Sequence, residues 1–139
     1  MRVVVDTNVL VSALIRPQGA VGPVFTQLRE GAYDLLYSEQ LLTELASVLV
    51  RPHIRDRYLA GKADIGTILL TITRQGERIV SSRVITVCRD ARDNWLLEAA
   101  VAGKADAIVT GDDGLLVLHP FEGIPIITPA SFLALLQGR

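Results

Sequence analysis

Apolar positions along the chain follow two rhythms, short unbroken runs and helical stripes. Arg2–Asp6 (RVVVD) is β-branched and has no polar alternation, the pattern of a strand covered on both faces in a parallel sheet. Val9–Ile15 predicts a helix, Arg16–Gly19 a loop, and Ala20–Glu30 a second helix stopped by Gly31, a residue favoured just past a helix end. Tyr33–Tyr37 predicts a second strand. Ser38 is placed as an N-cap, and the helix that follows to Val50 carries Leu41, Leu45, Val48 and Leu49 on one stripe. Arg51-Pro52 ends or kinks it. Residues 53–60 and 64–75 predict two further helices, and Glu77–Val80 with Val84–Val87 a strand region of open division. Asp90 or Arg92 opens a helix that runs to about Ala102 and closes at Gly103. A buried strand at Ala107–Thr110, a helical turn at Asp113–Leu118 and a strand at Ile124–Thr128 complete the alternation. Pro129 suits the first turn of a final helix, Ala130–Gln137. Strands alternating with helices imply right-handed crossovers, so the expected fold is a three-layer α/β/α domain around a central parallel sheet. No repeat or linker interrupts the pattern, and residues 1–139 read as one domain.

Composition narrows the setting. A chain of 139 residues, half of them hydrophobic, buries roughly two-thirds of its unfolded surface and needs no disulfide to hold a core. Its single cysteine, Cys88, has no internal partner for a bridge, and with no secretory pattern in view the expected location is the reducing cytoplasm. The apolar start, Val3–Ile15, is broken by Asp6, Thr7 and Asn8 and is too short to cross a bilayer, so no membrane partner is expected.

The candidate chemistry lies in the acids. An open parallel sheet forms its sites beyond the carboxyl ends of its strands. Asp6 closes the first predicted strand, and Asp112 follows the strand Ala107–Thr110. Glu44 and Asp93 stand at helical spacing on core-facing stripes, Glu44 with Leu41 and Val48, Asp93 with Leu96 and Leu97. Each has a plain structural alternative. Asp6 can cap the next helix, Glu44 can sit at the edge of its stripe and reach water, Asp90 with Asp93 has capping-box spacing, and Gly-Asp-Asp-Gly at 111–114 suits a turn. What these alternatives leave unexplained is four carboxylates predicted at one end of one sheet. Two unit charges 4 Å apart repel by about 4 kcal/mol at an effective dielectric of 20, so protons or a cation must be present. An all-oxygen set, with His53 and His119 isolated and no zinc-like spacing, suits Mg²⁺ or Mn²⁺. The implied chemistry is metal-assisted phosphodiester hydrolysis.

The net charge of −1 alone argues against a nucleic-acid partner. Divided along the chain it reads differently: residues 51–92 hold nine basic and four acidic side chains, a balance of +5, and the remainder five basic and eleven acidic, −6. Arginine outnumbers lysine 12 to 2, and guanidinium forks grip phosphate oxygens in pairs. Arg51, Arg55, Arg89 and Arg92 are the candidate RNA phosphate contacts, the alternative being a solvated face with local pairs such as Arg55 with Asp56. Aromatic residues are few, three Tyr, three Phe and Trp95, so strong base readout by stacking is not expected.

The segments MRVVVDTNVLVSAL (1–14), the helix bearing Glu44, CRDARDNWLLEAA (88–100) and IVTGDDGLL (108–116) resemble the motifs of PIN-domain nucleases, and among them the VapC-like toxins of bacterial toxin–antitoxin pairs. The resemblance implies a Mg²⁺- or Mn²⁺-dependent ribonuclease, a homodimer or higher oligomer, silenced by a small antitoxin. It implies that Asp6, Glu44, Asp93 and Asp112 are the four family acids, that Asn8 and Thr110 help position the metal, and that Asp90 and Asp113 stand near enough to share the third and fourth roles. Two other readings compete: a non-catalytic module of the same fold that binds RNA or protein, and a Mg²⁺-binding phospho-receiver-like switch, for which Lys62 and Lys104 are poorly placed.

Overall fold

The computed structural model of the chain describes residues 1–56 and 65–138. Five strands, β1 (Arg2–Val5), β2 (Asp34–Tyr37), β3 (Gly76–Arg78), β4 (Ala107–Val109) and β5 (Ile126–Ile127), form an all-parallel sheet in the order β3-β2-β1-β4-β5. The helices are α1 (Thr7–Ile15), α2 (Pro23–Arg29), α3 (Glu39–Leu49), α4 (Pro52–Ile54), α5 (Ile65–Gln75), α6 (Ala91–Ala102), α7 (Asp113–Leu116) and α8 (Pro129–Gln137). Val3 pairs with Leu35 on one side and Ala107 on the other.

The missing polar alternation in the strands follows from helices on both faces. Val3, Val5, Leu35, Tyr37 and Val109 pack with Leu10, Leu28, Ile72 and Phe132 from α1, α2, α5 and α8. Val4, Leu36 and Ile108 point the opposite way, onto Leu96, Leu97 and Ala100 of α6 and Leu115 of α7. Helix α3 touches both layers, with Leu41 in the α6 cluster and Leu45 and Leu49 in the other. The chain lays down β1, β2 and β3 in one direction, then returns across the sheet to place β4 on the far side of β1. The carboxyl ends of β1 and β4 therefore flank the point where the winding reverses, the usual place for a ligand crevice in such sheets.

Several boundaries differ from the sequence expectation. Helix α1 starts at Thr7, two residues early, because Asp6 caps it by accepting the Asn8 N–H at 3.0 Å. Helix α2 starts at Pro23 rather than Ala20, where a residue without an N–H leaves no donor unpaired. The run Val84–Val87 is not a strand. β3 occupies Gly76–Arg78, while the Ile85 N–H donates to Glu98 Oε2 at 2.8 Å and Val84 and Val87 face solvent. One buried side chain anchors that segment to α6 in place of a ladder. β5 is shorter than Ile124–Thr128, since Ile124 bridges back to Phe121 and Thr128 caps α8. The helix expected over 53–60 begins with α4, and its residues 57–60 lie outside the described part. Gly76 joins α5 to β3 so closely that an added Cβ would lie 2.6 Å from the Ile72 carbonyl and 2.8 Å from that of Leu35.

Candidate active site

The site is built on the ends of β1 and β4. Asp6 follows β1, and its N–H donates to the Val109 carbonyl at 2.8 Å. Its carboxylate, on a residue only 7% exposed, accepts the Asn8 N–H on Oδ1 and the Thr110 hydroxyl on Oδ2, at 3.0 and 2.8 Å. Thr110 is fully buried, and the same hydroxyl oxygen accepts the Asp112 N–H at 3.0 Å. One side chain thus ties both strand ends together. Asp112 in turn caps α7 by accepting the Gly114 N–H, and Asp90 caps α6 by accepting the Arg92 N–H. Three helix N-termini, those of α1, α6 and α7, open at this place, where their partial positive charge favours carboxylates. The loop leading into α6 is closed by Asn94, whose Oδ1 accepts the Cys88 N–H at 2.9 Å and whose Nδ2 donates to the Cys88 carbonyl at 3.1 Å.

Asp6, Glu44, Asp93 and Asp112 line a common cleft of about 70 Å³, together with Asn8, Asp90 and Arg92. Burial, then the charges of Asp112, Asp90 and Asp6, push the Asp93 carboxyl up to about 6, and its hydrogen bond with Asp112 acts in the same direction. Burial raises Glu44 as well, partly offset by Arg92. The Arg92 guanidinium lies 2.9 Å from Asp90 Oδ2 and 3.4 Å from Glu44 Oε1, and it holds the Asp90 carboxyl below its ordinary range. One guanidinium faces five carboxylates, so negative charge is in excess. The donors are all oxygen, the chemistry that hard divalent ions take. Among the described residues no three His, Cys, Asp or Glu stand close enough to hold an ion as they are. The carboxylates face one cleft without closing on one point, a spread that their mutual repulsion favours.

The other expected residues divide. Asn8 reaches the cleft rim and Thr110 lies behind it as a positioning residue. Asp113, exposed in the first turn of α7, does not line the cleft. Arg92 is at the site and Arg51 lines a neighbouring groove. Arg55 pairs instead with Asp56 at 2.9 Å, and exposed Arg89 lines neither cavity. His119 is structural, its Nδ1 accepting the Ile126 N–H at 2.9 Å. Burial, then the charges of Asp93, Asp112 and Asp90, raise the Cys88 thiol, which disfavours its thiolate form. Sequence reasoning passed over Asn94 and undervalued Trp95. Asn94 stands three residues before Leu97, the spacing that flagged Asp93, and Trp95 lies three after Arg92 on the groove-facing side of α6.

Parallel topology with carboxylates gathered where the winding reverses defines a mixed α/β domain with an acidic cleft at its switch point. A PIN domain family model matches residues 2–114, a span that holds all four acids, and the chain belongs to the PIN-domain family, whose members are generally nucleases. It is 34% identical over 119 residues to the uncharacterized protein MJ1680 of Methanocaldococcus jannaschii, covering 86% of this chain and 76% of that one. Its fold is similar to the crystal structure of PAE2754 from Pyrobaculum aerophilum, with a TM-score of 0.59 over 99% of this chain and 90% of the other. At 14% identity that likeness concerns the fold alone. No helix among the described residues is long and apolar enough to cross a membrane.

Proposed function

We propose that this PIN domain is a Mg²⁺- or Mn²⁺-dependent endoribonuclease. The observation that carries the reading is the meeting of Asp6, Glu44, Asp93 and Asp112 in one cleft with more negative charge than Arg92 offsets. Those four side chains would hold the divalent ion, which when bound supplies a water ionised near neutral pH and positive charge for the phosphoryl oxygens.

The chain's own residues do the rest. Thr110 and the Asn8 N–H fix the Asp6 carboxylate by one hydrogen bond to each oxygen, and each oxygen keeps a further lone pair for a ligand. Asp93, with its carboxyl at about 6, is largely ionised at neutral pH, and positive charge in the cleft would offset the repulsion from Asp112, Asp90 and Asp6. Arg92, now paired with Asp90 and Glu44, is placed to turn its fork to a phosphate and free Glu44. Two larger cavities flank the cleft, one sharing Glu44 and Arg92 with it and the other Asp6, Asn8 and Asp112. A chain can therefore continue on both sides of the phosphate, which supports internal cleavage over trimming from an end.

The RNA substrate, the toxin role with a small antitoxin partner, a homodimeric or higher assembly and a cytoplasmic location rest on the resemblance to VapC-like toxins and on the lone cysteine. The decisive experiment compares wild type with Asp6→Asn on single-stranded RNA with Mn²⁺, with and without chelator. Cleavage by the wild type alone, stopped by chelator, is the expected result. An inert wild type, or equal cutting by both proteins, would overturn the proposal. For the toxin role, induced wild type should arrest growth and Asp6→Asn should not; equal tolerance of both counts against it.

A further inference from the structure

A groove of about 700 Å³ lies beside the acidic cleft. Two helix faces wall it. α3 presents Gln40, Thr43, Glu44 and Ser47, and Arg51 lies just past its end. α6 presents Arg92, Trp95 and Ala99. Both sets recur every three or four residues, so each is a single face. Ile79 and Val80, just beyond β3, form an apolar part of the lining. Glu44 and Arg92 belong to both groove and cleft, so the groove opens directly onto the acids.

Three features fit one ligand. The volume lies within the ~300–1,000 Å³ typical of small-ligand pockets, whereas the 70 Å³ cleft has room for little beyond ions and water. Trp95 is only partly buried and lines the groove with its aromatic surface. Arg51 is exposed and makes no ion pair among the described residues, and Arg78 at the groove wall is held only by exposed Glu39. Glu39 and Glu98 also line the groove, so Arg51 is its one guanidinium without an ion pair among the described residues; an aromatic platform with a cationic side chain beside it is how single-stranded nucleic acid is held.

We propose that this groove is the subsite for the nucleotide next to the scissile phosphate, with the base stacked on Trp95 and the adjoining backbone held by Arg51. The subsite rests on the reading of the acidic cleft as a phosphodiesterase centre. It takes an unpaired base, because a base inside a duplex offers no free face for stacking. The contact is sequence-tolerant, since every base has such a face.

Trp95 is the chain's one tryptophan, so fluorescence excited beyond the absorption of the three tyrosines reports on the groove. The full-length protein is titrated in EDTA with a mixed-sequence single-stranded tetraribonucleotide and with a duplex of the same strand, and again with Mg²⁺ using Asp6→Asn. Saturable quenching by the single strand, stronger than by the duplex, is expected. In the cleavage assay Trp95→Ala should raise KM about tenfold to a hundredfold with kcat little changed, and Trp95→Phe should recover most of the loss. Should Trp95→Ala fold poorly, Arg51→Gln, exposed and without an ion pair among the described residues, should still raise KM severalfold. Unchanged KM in Trp95→Ala and Arg51→Gln, while the wild type cleaves, overturns the subsite and leaves the nuclease reading intact. If the wild type cuts nothing, the nuclease reading fails, and the titration then decides the groove alone: quenching keeps a nucleotide site, and its absence, or quenching only by a protein partner, refutes one.

Discussion

Asp93 offers the sharpest test of the idea that these acids are gathered for a cation and not for stability. Its carboxyl sits at about 6 against an ordinary value of 3.8. Between those two values the native state binds more protons at this position than the unfolded chain, so stability falls as pH rises through the window. Above about pH 6 the penalty is complete, and below about pH 4 it is absent. A gap of roughly two pKa units corresponds to a ceiling of about 3 kcal/mol, which partial exposure and solvent screening reduce to about 1 kcal/mol. Asp93→Asn removes the charge and keeps a side chain able to hydrogen-bond Asp112. In EDTA at pH 7.5 the variant should melt roughly 3–5 °C above the wild type, with the difference closing toward pH 4. Saturating Mg²⁺ should reverse the order, because an ion at a hundred times its Kd adds about 2.7 kcal/mol to a protein that binds it and the variant would lack one of the four proposed ligands. Melting curves followed by circular dichroism across pH, with and without Mg²⁺, give both readings. A variant that melts at or below the wild type in EDTA at pH 7.5 would falsify the reasoning.

Other residues carry separate expectations. Thr110→Val removes the donor to Asp6 Oδ2 and the acceptor of the Asp112 N–H, so it should cost about 1–3 kcal/mol in urea denaturation and lower cleavage as well; wild-type values for both would show that the bridge is dispensable. Gly76→Ala sets a Cβ against two backbone carbonyls, and loss of more than about 1 kcal/mol, measured the same way, is expected. Cys88→Ser should keep full cleavage, since Cys88 does not line the cleft and its thiolate form is disfavoured; a large fall in kcat would contradict that.

How much of this was legible in the sequence depends on the range of the interaction concerned. The two-face burial of β1 shows in RVVVD because each residue's environment alternates with its direction, a local property. The acids posed a false choice. A cap at Asp6, a capping box at Asp90 and Asp93 and a turn at 111–114 read as rivals to site-lining, yet Asp6, Asp90 and Asp112 each cap a helix and line the cleft at once. A carboxylate has lone pairs enough for both. Val84–Val87 misled because β-branched residues favour extended backbone whether or not a neighbouring strand is present. Charge counting could not separate Arg92 from Arg55 and Arg89, since only the approach of α3 to α6 decides which guanidinium meets Glu44. The Trp95 groove depends on the same approach, across some 50 residues of chain, and no local pattern contains it.

The sharing of carboxylate oxygens between helix caps and the cleft has a kinetic side. An ion that engages Asp6, Asp112 or Asp90 also stiffens the first turns of α1, α7 and α6, so occupancy should be written in amide protons far smaller than any domain motion. The N–H groups of Asn8, Arg92 and Gly114, each donating to one of those acids, become built-in reporters, and slowed hydrogen exchange there on addition of Mg²⁺ would register loading in the absence of any substrate.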